Sequence, residues 1–176
     1  MKGTVLYEVR DGVALLTVDN PPVNPLSDGV RAGLYEGIAK AEADSSVVGV
    51  ALTGNGRAFI AGADISEFGG SGEGHGLHEV FKKLEYCSKP VVAAINGLAL
   101  GGGLETALCC NYRIASNQAF VGLPEVNLGL LPGAGGTQRL PRLVGPAEAL
   151  KIMLSGAHVS AKKALSLGIV DSLSDN

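Results

Sequence analysis

Two acidic residues of this 176-residue sequence lie in apolar surroundings. Glu105 follows three consecutive glycines within the largely apolar segment 95–110, and Glu125 stands in a second apolar stretch. A carboxyl group becomes a useful acid or base near neutral pH when burial or a like-charged neighbour raises its pKa. Two such groups can divide the roles of proton donor and proton acceptor, so the pair indicates general acid–base chemistry.

The glycines before Glu105 could supply a second component of an active site. Three glycines in succession, Gly101, Gly102 and Gly103, indicate a place where the backbone must approach another group closely. If residues 104–110 form a buried helix, the N–H groups of its first turn have no intrahelical partner and point outward at the positive end of the helix dipole. The same residues equally suit a tight strand-to-helix turn packed against a neighbour, with Glu105 in a salt bridge.

A second loop, residues 57–65, places small residues after a predicted buried strand. In open α/β sheets ligands bind beyond the carboxyl ends of the strands, so this loop could be a wall of a site or simply a tight connection. Backbone N–H groups near Ala63 and Gly102 could together hold a developing oxyanion. With the two acids, this set fits proton transfer at the carbon next to a thioester carbonyl, although no spacing rule requires the loops to converge.

Hydrophobic periodicity and turn residues predict the elements that would position these groups. Strands are predicted at residues 13–18, 47–53, 91–95, 112–115, 119–121 and 169–171, and the strand at 47–53 is expected to be covered on both faces. Helices are predicted at residues 27–43, 77–88, 104–110, 138–143, 146–154 and 160–167. The glycine-rich segment 69–76 is predicted to be a flexible surface loop. Because strands alternate with helices, the fold class is α/β with largely parallel strand pairing.

Composition limits the classes of function. With 46% hydrophobic residues, the chain suits one folded domain with a substantial core. A net charge of −3 with scattered Lys and Arg lacks the basic patch of a nucleic-acid-binding protein, so no nucleic-acid partner is expected. We find neither an apolar run of transmembrane length nor the apolar core of a signal peptide. Adjacent Cys109 and Cys110 are expected to be buried and reduced.

The common cofactor and nucleophile motifs are missing. His75 and His78 have no companion ligands at suitable spacing, so no metal site is predicted. The glycine-rich stretches lack the Lys of a phosphate-binding P-loop, and their best dinucleotide-binding matches break at the third glycine. No nucleophilic serine stands between glycines in the hydrolase pattern. Nucleotide hydrolysis, dinucleotide cofactors and serine-nucleophile chemistry are therefore disfavoured.

Five separated motifs together resemble the crotonase superfamily of enoyl-CoA hydratases and isomerases, at residues 61–65, 89–97, 100–105, 123–125 and 131–140. The resemblance extends from residue 13 to residue 171, and segments 20–24 and 122–125 are most similar to the N-terminal hydratase part of multifunctional β-oxidation enzymes. It implies a spiral of stacked β-β-α repeats with surrounding helices. Family members continue with a helical segment that covers the acyl pocket and mediates trimer contacts. Residues 1–176 are therefore expected to be a single core domain truncated at its C-terminus.

The resemblance also implies an activity, the syn addition of water to trans-2-enoyl-CoA giving 3-hydroxyacyl-CoA in fatty-acid β-oxidation. Coenzyme A would enter as part of the acyl-CoA thioester substrate, and no other cofactor is implied. The matched positions are Glu105 and Glu125 as the paired catalytic acids, Ala63 and Gly102 as the oxyanion hole, Gly133 as the water-positioning backbone, and Arg57, Ala61, Asp64 and Ile65 as the CoA-binding residues.

Two alternatives to hydration stay open. A Δ3,Δ2-enoyl-CoA isomerase would need only one shared glutamate and is compatible with the same motifs. A non-catalytic assembly or RNA-binding relative is a different class, against which the acidic composition and the intact acid pair argue. The resemblance further implies a homotrimer or hexamer if the C-terminal segment is present, and a cytoplasmic or peroxisomal matrix location.

Overall fold

The computed structural model describes residues 3–64, 67 and 74–175. The strands in this part of the chain are β1 (Thr4–Arg10), β2 (Val13–Asp19), β3 (Gly49–Gly54), β4 (Ala58–Ala61), β5 (Val91–Ile95), β6 (Leu98–Leu100), β7 (Tyr112–Ser116), β8 (Phe120–Gly122), β9 (Val159–Ser160) and β10 (Ser172–Ser174). The helices are α1 (Asp28–Ala43), α2 (Leu77–Glu85), α3 (Gly102–Leu108), α4 (Gly136–Val144), α5 (Pro146–Ser155) and α6 (Ala161–Leu167), and Glu125–Leu128 form a 3-10 turn.

The strands form two sheets that are built from repeated pairs. The larger sheet has the order β1-β2-β3-β5-β7-β10 and the smaller one β4-β6-β8-β9. β3, β5 and β7 pair in parallel in the larger sheet, while the strands that follow each of them, β4, β6 and β8, pair in parallel in the smaller one. Helices α2 and α3 and the segment leading to α4 follow these strand pairs in turn. The predicted α/β class and the spiral of stacked β-β-α repeats are both confirmed.

The core lies along alternating positions of these strands. In β2, Ala14, Leu16 and Val18 are fully buried, whereas the residues between them are not. β3 alternates in the same way between buried and half-buried residues, with Val50 and Leu52 buried. The predicted strand at 47–53 therefore begins later, at Gly49, and only one of its faces is fully covered.

Several predicted boundaries are wrong, and most of the errors concern short elements. β4 and β6 have four and three residues, too few to show a periodic pattern, and they were not predicted as strands. The predicted strand at 169–171 is instead a turn in which Asp171 N donates to Arg113 O at 2.9 Å, and β10 follows it. The predicted flexible loop at 69–76 falls mostly outside the described residues. Helix α3 begins at Gly102, two residues earlier than predicted.

A buried asparagine connects the loop after β2 to the smaller sheet. Asn24 is 1% exposed, and its Nδ2 donates to Ala58 O at 2.8 Å while its Oδ1 accepts from Asn20 N at 2.9 Å. Beyond it, Leu26 N donates to Gly62 O at 3.0 Å. These bonds hold the chain after β2 against the carboxyl end of β4, which fixes the position of the loop around Ala63.

Two further sequence expectations concern helices and cysteines. None of the helices within the described ranges is long and apolar enough to cross a membrane. Cys109 and Cys110 are buried, as predicted, whereas Cys87 is half-buried.

Candidate active site

The glycines before Glu105 serve two different purposes. A β-carbon added at Gly103 would lie 1.8 Å from Ile60 O, so α3 packs directly on the backbone of β4 and only glycine fits there. Gly101 has φ +52° and ψ −123°, a conformation that glycine tolerates and other residues rarely adopt. Gly102 borders a cavity instead. The packing and ligand interpretations therefore apply to different glycines of the same run.

The loops around Ala63 and Gly102 come together at this point. A β-carbon added at Gly102 would lie 3.5 Å from Ala63 N, and one added at Gly101 would lie 3.7 Å from Gly62 Cα. Gly102 is the first residue of α3, so its N–H has no acceptor within the helix. In the bridge between Leu26 and Ala63, the bond from Leu26 N goes to Gly62 O and does not use the N–H of Ala63. Two candidate donors thus lie side by side.

Glu105 is held by backbone groups. It is 3% exposed, and its Oε1 atom accepts hydrogen bonds from Ala134 N at 2.9 Å and Gly136 N at 2.8 Å. No ion pair of Glu105 is found in the described ranges, so the salt bridge that the sequence also allowed is not observed there. Burial raises the pKa of Glu105, and the two N–H donors partly oppose that rise. The side chain therefore has one fixed orientation.

Glu125 opens the 3-10 turn and lies across from the glycines. Its Oε1 atom is 3.1 Å from the position that a β-carbon on Gly101 would take. Its Oε2 atom is buried and has no hydrogen-bond partner among the described residues. Burial raises the pKa of Glu125 to about 7, and the nearby charge of Glu105 adds to the rise. Glu125 can therefore exchange a proton near neutral pH, which is a requirement of a general acid or base.

This raised pKa predicts how stability depends on pH. Below the ordinary pKa of 4.5, Glu125 is protonated in both the folded and the unfolded protein; as pH rises towards 7, only the unfolded chain releases the proton. The free energy of unfolding should therefore fall as pH rises from 4.5 to 7. Urea unfolding at pH 5 and pH 8 should show a larger fall for the wild type than for Glu125→Gln. Equal falls in the two proteins would contradict the assignment.

Both carboxyl groups and both candidate donor loops border one cavity of about 360 Å³. Its remaining walls are mainly apolar, and they are contributed by the start of α2, by β6 and by the segment that follows Glu125. The apolar side chains that line it are Leu77, Leu100, Pro124, Leu128, Leu130, Leu131 and Ala134. This arrangement suits a ligand with a long apolar portion and one reactive polar group.

The remaining predicted site residues are divided between this cavity and the surface. Gly133 and Ala61 line the cavity. Arg57 is exposed in the turn before β4, and Asp64 follows Ala63 directly, but neither lines the cavity. Ile65 lies outside the described residues. The structure thus brings six of the nine predicted residues together: Ala61, Ala63, Gly102, Glu105, Glu125 and Gly133.

Sequence reasoning missed the groups that hold Glu105. Ala134 and Gly136 lie in the motif at residues 131–140, but no sequence pattern shows which N–H groups of that segment point at a distant carboxylate. A β-carbon added at Gly136 would lie 3.0 Å from Glu105 Oε1, so this glycine permits the close approach. His78, which was not predicted as a site residue, is the second residue of α2 and lines the cavity. Within the described ranges no three His, Cys, Asp or Glu side chains are placed to hold a metal ion.

Comparison with known proteins gives the family. A sequence model described as enoyl-CoA hydratase/isomerase matches residues 8–175. The chain belongs to this family. The predicted resemblance to the crotonase superfamily is therefore confirmed. The chain is 51% identical over 170 residues to the peroxisomal bifunctional enzyme of Danio rerio, which also confirms its predicted likeness to multifunctional β-oxidation enzymes. That match covers 96% of this chain and 24% of the zebrafish protein.

Shorter relatives match over a larger share of their length. The probable enoyl-CoA hydratase of Bacillus subtilis is 47% identical, over 90% of this chain and 64% of the bacterial protein. Among solved structures, an enoyl-CoA hydratase subunit from Geobacillus kaustophilus superimposes with a TM-score of 0.88 at 40% identity, covering 97% of this chain and 68% of that one. The chain thus spans about a quarter of the length of the zebrafish protein and about two thirds of the length of the two bacterial proteins.

Proposed function

We propose that this chain carries the active site of an enoyl-CoA hydratase, which adds water syn across the double bond of a trans-2-enoyl-CoA to give a 3-hydroxyacyl-CoA in fatty-acid β-oxidation. The observation that carries the proposal is the meeting of Glu105 and Glu125 with the backbone of Ala63 and Gly102 at one cavity. The names of the similar proteins support the same activity.

The backbone donors suit the charge that develops during this reaction. Attack of water on C3 of the enoyl thioester moves electron density onto the thioester oxygen, which becomes enolate-like. The N–H groups of Ala63 and Gly102 would hold this oxygen, and such preorganised donors commonly supply the largest part of transition-state stabilisation. No metal ion is needed for this role.

The two carboxyl groups would handle the protons. Glu105, whose Oε1 atom is held by Ala134 N and Gly136 N, would accept a proton from the attacking water as the C3–O bond forms. Glu125, with a pKa of about 7, would deliver its proton to C2. Exchange with solvent then returns both groups to their starting states. Because both carboxyl groups border the same cavity, addition of the hydroxyl group and of the proton to the same face of the double bond is favoured.

The rest of the substrate would extend from the reactive centre in two directions. The apolar wall around Leu77, Leu128 and Leu131 would contact the acyl chain. Arg57, Ala61, Asp64 and Ile65 remain the proposed CoA-binding residues on the strength of the family resemblance. The same resemblance supports a trimeric or hexameric assembly. A location in the peroxisomal matrix or the cytoplasm is proposed because similar proteins include peroxisomal enzymes.

One observation favours isomerisation of the double bond as a second activity. Glu125 combines a pKa of about 7 with a buried Oε2 atom that has no hydrogen-bond partner among the described residues. A single carboxylate of this kind could move a proton from C2 to C4 of a 3-enoyl-CoA.

The direct test is a spectrophotometric assay of the purified 176-residue chain. Hydration of trans-2-butenoyl-CoA removes the conjugated enoyl thioester absorbance, and a 3-enoyl-CoA would instead gain it if isomerised. We expect loss of absorbance with the first substrate and a 3-hydroxyacyl-CoA product by mass spectrometry. A folded protein that bound the thioester without converting either substrate would contradict the proposal.

A further inference from the structure

The loop that holds Glu105 is itself held by an arginine on α4. Arg139 Nη1 donates to Ala134 O at 3.1 Å, and the N–H of Ala134 donates to Glu105. On its other side, Arg139 donates to Glu85 through Nη2 at 2.7 Å and Nε at 3.2 Å. A continuous chain of hydrogen bonds therefore runs from Glu85 at the end of α2 to the carboxyl group of Glu105.

The backbone at Gly135 is shaped to accept this guanidinium group. Gly135 has φ +107°, and a β-carbon added there would lie 2.0 Å from Arg139 Nη1. The planar group thus lies directly against the backbone between the two N–H donors of Glu105. Any other residue at position 135 would displace Arg139 from the loop.

We propose that Arg139, fixed by Glu85, is a positioning residue that holds the 134–136 loop so that Ala134 N and Gly136 N keep Glu105 in its catalytic orientation. The role of Glu105 in this statement rests on the proposed hydratase function. Glu85 and Arg139 also join α2 to α4, and α2 carries Leu77 and His78 on the opposite wall of the cavity.

The geometry of the ion pair suits such a role. The Arg139 and Glu85 side chains are 21% and 38% exposed, so the pair is partly shielded from water. Two parallel hydrogen bonds between a guanidinium group and a carboxylate fix the relative orientation of both groups, which a lysine could not do. The third donation, to Ala134 O, transfers that fixed orientation to the loop.

Arg139 also acts on the titration of Glu105. Burial raises the pKa of Glu105. The N–H donors of Gly136 and Ala134, and after them the electrostatic effects of Arg139 on α4 and His78 on α2, oppose the rise. Glu125 from the 3-10 turn and Cys109, directly after α3, are further titratable groups that interact electrostatically with Glu105. Loss of the Arg139 charge should therefore raise the pKa of Glu105 further and move the acid limb of the pH–rate profile to higher pH. Displacement of the Ala134 and Gly136 N–H donors would raise this pKa in the same direction, whereas a loss of stability alone would leave it unchanged in the folded protein.

The test compares three variants of the full 176-residue chain. Arg139→Met removes the charge and the bond to Ala134. Glu85→Gln loosens Arg139 but leaves its charge in place. Arg142→Met is the matched control, because Arg142 lies on the same helix and bonds to Gln138 instead of the loop. Far-UV circular dichroism and thermal melting establish that each variant is folded.

We expect Arg139→Met to lower kcat for trans-2-butenoyl-CoA roughly tenfold or more, since small displacements of catalytic groups have effects of this size. Glu85→Gln should lower kcat less than Arg139→Met does and should move the acid limb less, and Arg142→Met should change neither. Carbon-13 NMR of labelled glutamate, assigned with Glu105→Gln, should show a raised pKa for Glu105 in Arg139→Met. This titration does not depend on enzyme activity, so it still tests whether Arg139 acts on Glu105 if the hydratase proposal fails. A folded Arg139→Met protein with unchanged kcat and an unchanged Glu105 titration would overturn the proposal.

Discussion

Glu105→Gln and Glu125→Gln should each lower kcat for hydration of a trans-2-enoyl-CoA by about 10²- to 10⁴-fold, the range that general acid–base catalysis contributes. Glutamine keeps the shape of the side chain, and its carbonyl oxygen can still accept the bonds from Ala134 N and Gly136 N. It can neither accept a proton from water nor deliver one to carbon. The measurement is the steady-state loss of enoyl thioester absorbance.

Glu36→Gln provides the matched control for this comparison, because Glu36 is exposed on α1 and is not among the residues that line the cavity. It should retain the wild-type rate. Loss of hydration in only one of the two active-site variants would mean that a single carboxyl group handles both protons. Wild-type rates in both would show that the two carboxyl groups do not carry the protons.

Gly103→Ala should have the largest effect on stability. The added β-carbon would lie 1.8 Å from Ile60 O and 2.7 Å from Ile60 C, which are backbone atoms of β4. β4 is hydrogen-bonded to β6 in the smaller sheet, so its backbone cannot retreat without disturbing that pairing. Overpacking of a well-packed core commonly costs about 1–3 kcal/mol and more when backbone must move, so we expect a loss of at least about 3 kcal/mol.

Gly49→Ala is the control for this substitution. Gly49 begins β3, and its nearest contact for an added β-carbon is Pro90 O at an ordinary 3.5 Å. Urea unfolding should show a change within about 1 kcal/mol for Gly49→Ala and a much lower midpoint, or no folded protein, for Gly103→Ala. Similar midpoints for the two variants would mean that α3 does not pack on β4 as described.

The sequence was sufficient to predict the acids but not the groups around them. Glu105 and Glu125 stand out because a charged residue in an apolar stretch must have a reason to be buried. The N–H donors of Glu105, by contrast, lie about 30 residues further along the chain. Their contact with Glu105 depends on how the repeat of β7, β8 and the segment leading to α4 stacks on the repeat of β5, β6 and α3. Such long-range contacts leave no local pattern, so family resemblance alone suggested that the loops converge.

The same limit explains why two short strands were not predicted. Long amphipathic segments such as α1 and α2 were predicted because many residues share one periodicity. β4 and β6 each pair only within the smaller sheet and are too short for that signal. The different roles of Gly102 and Gly103 could not be predicted from the sequence either. They depend on long-range contacts, because Gly103 packs against Ile60 and Gly102 lies beside Ala63.

A crystal structure of the Glu105→Gln chain with bound trans-2-butenoyl-CoA would test the central claim most directly. The proposed mechanism predicts a thioester oxygen about 3 Å from both Ala63 N and Gly102 N, with C2 facing the carboxyl group of Glu125. A thioester bound in the cavity with its carbonyl oxygen away from both N–H groups would contradict the mechanism.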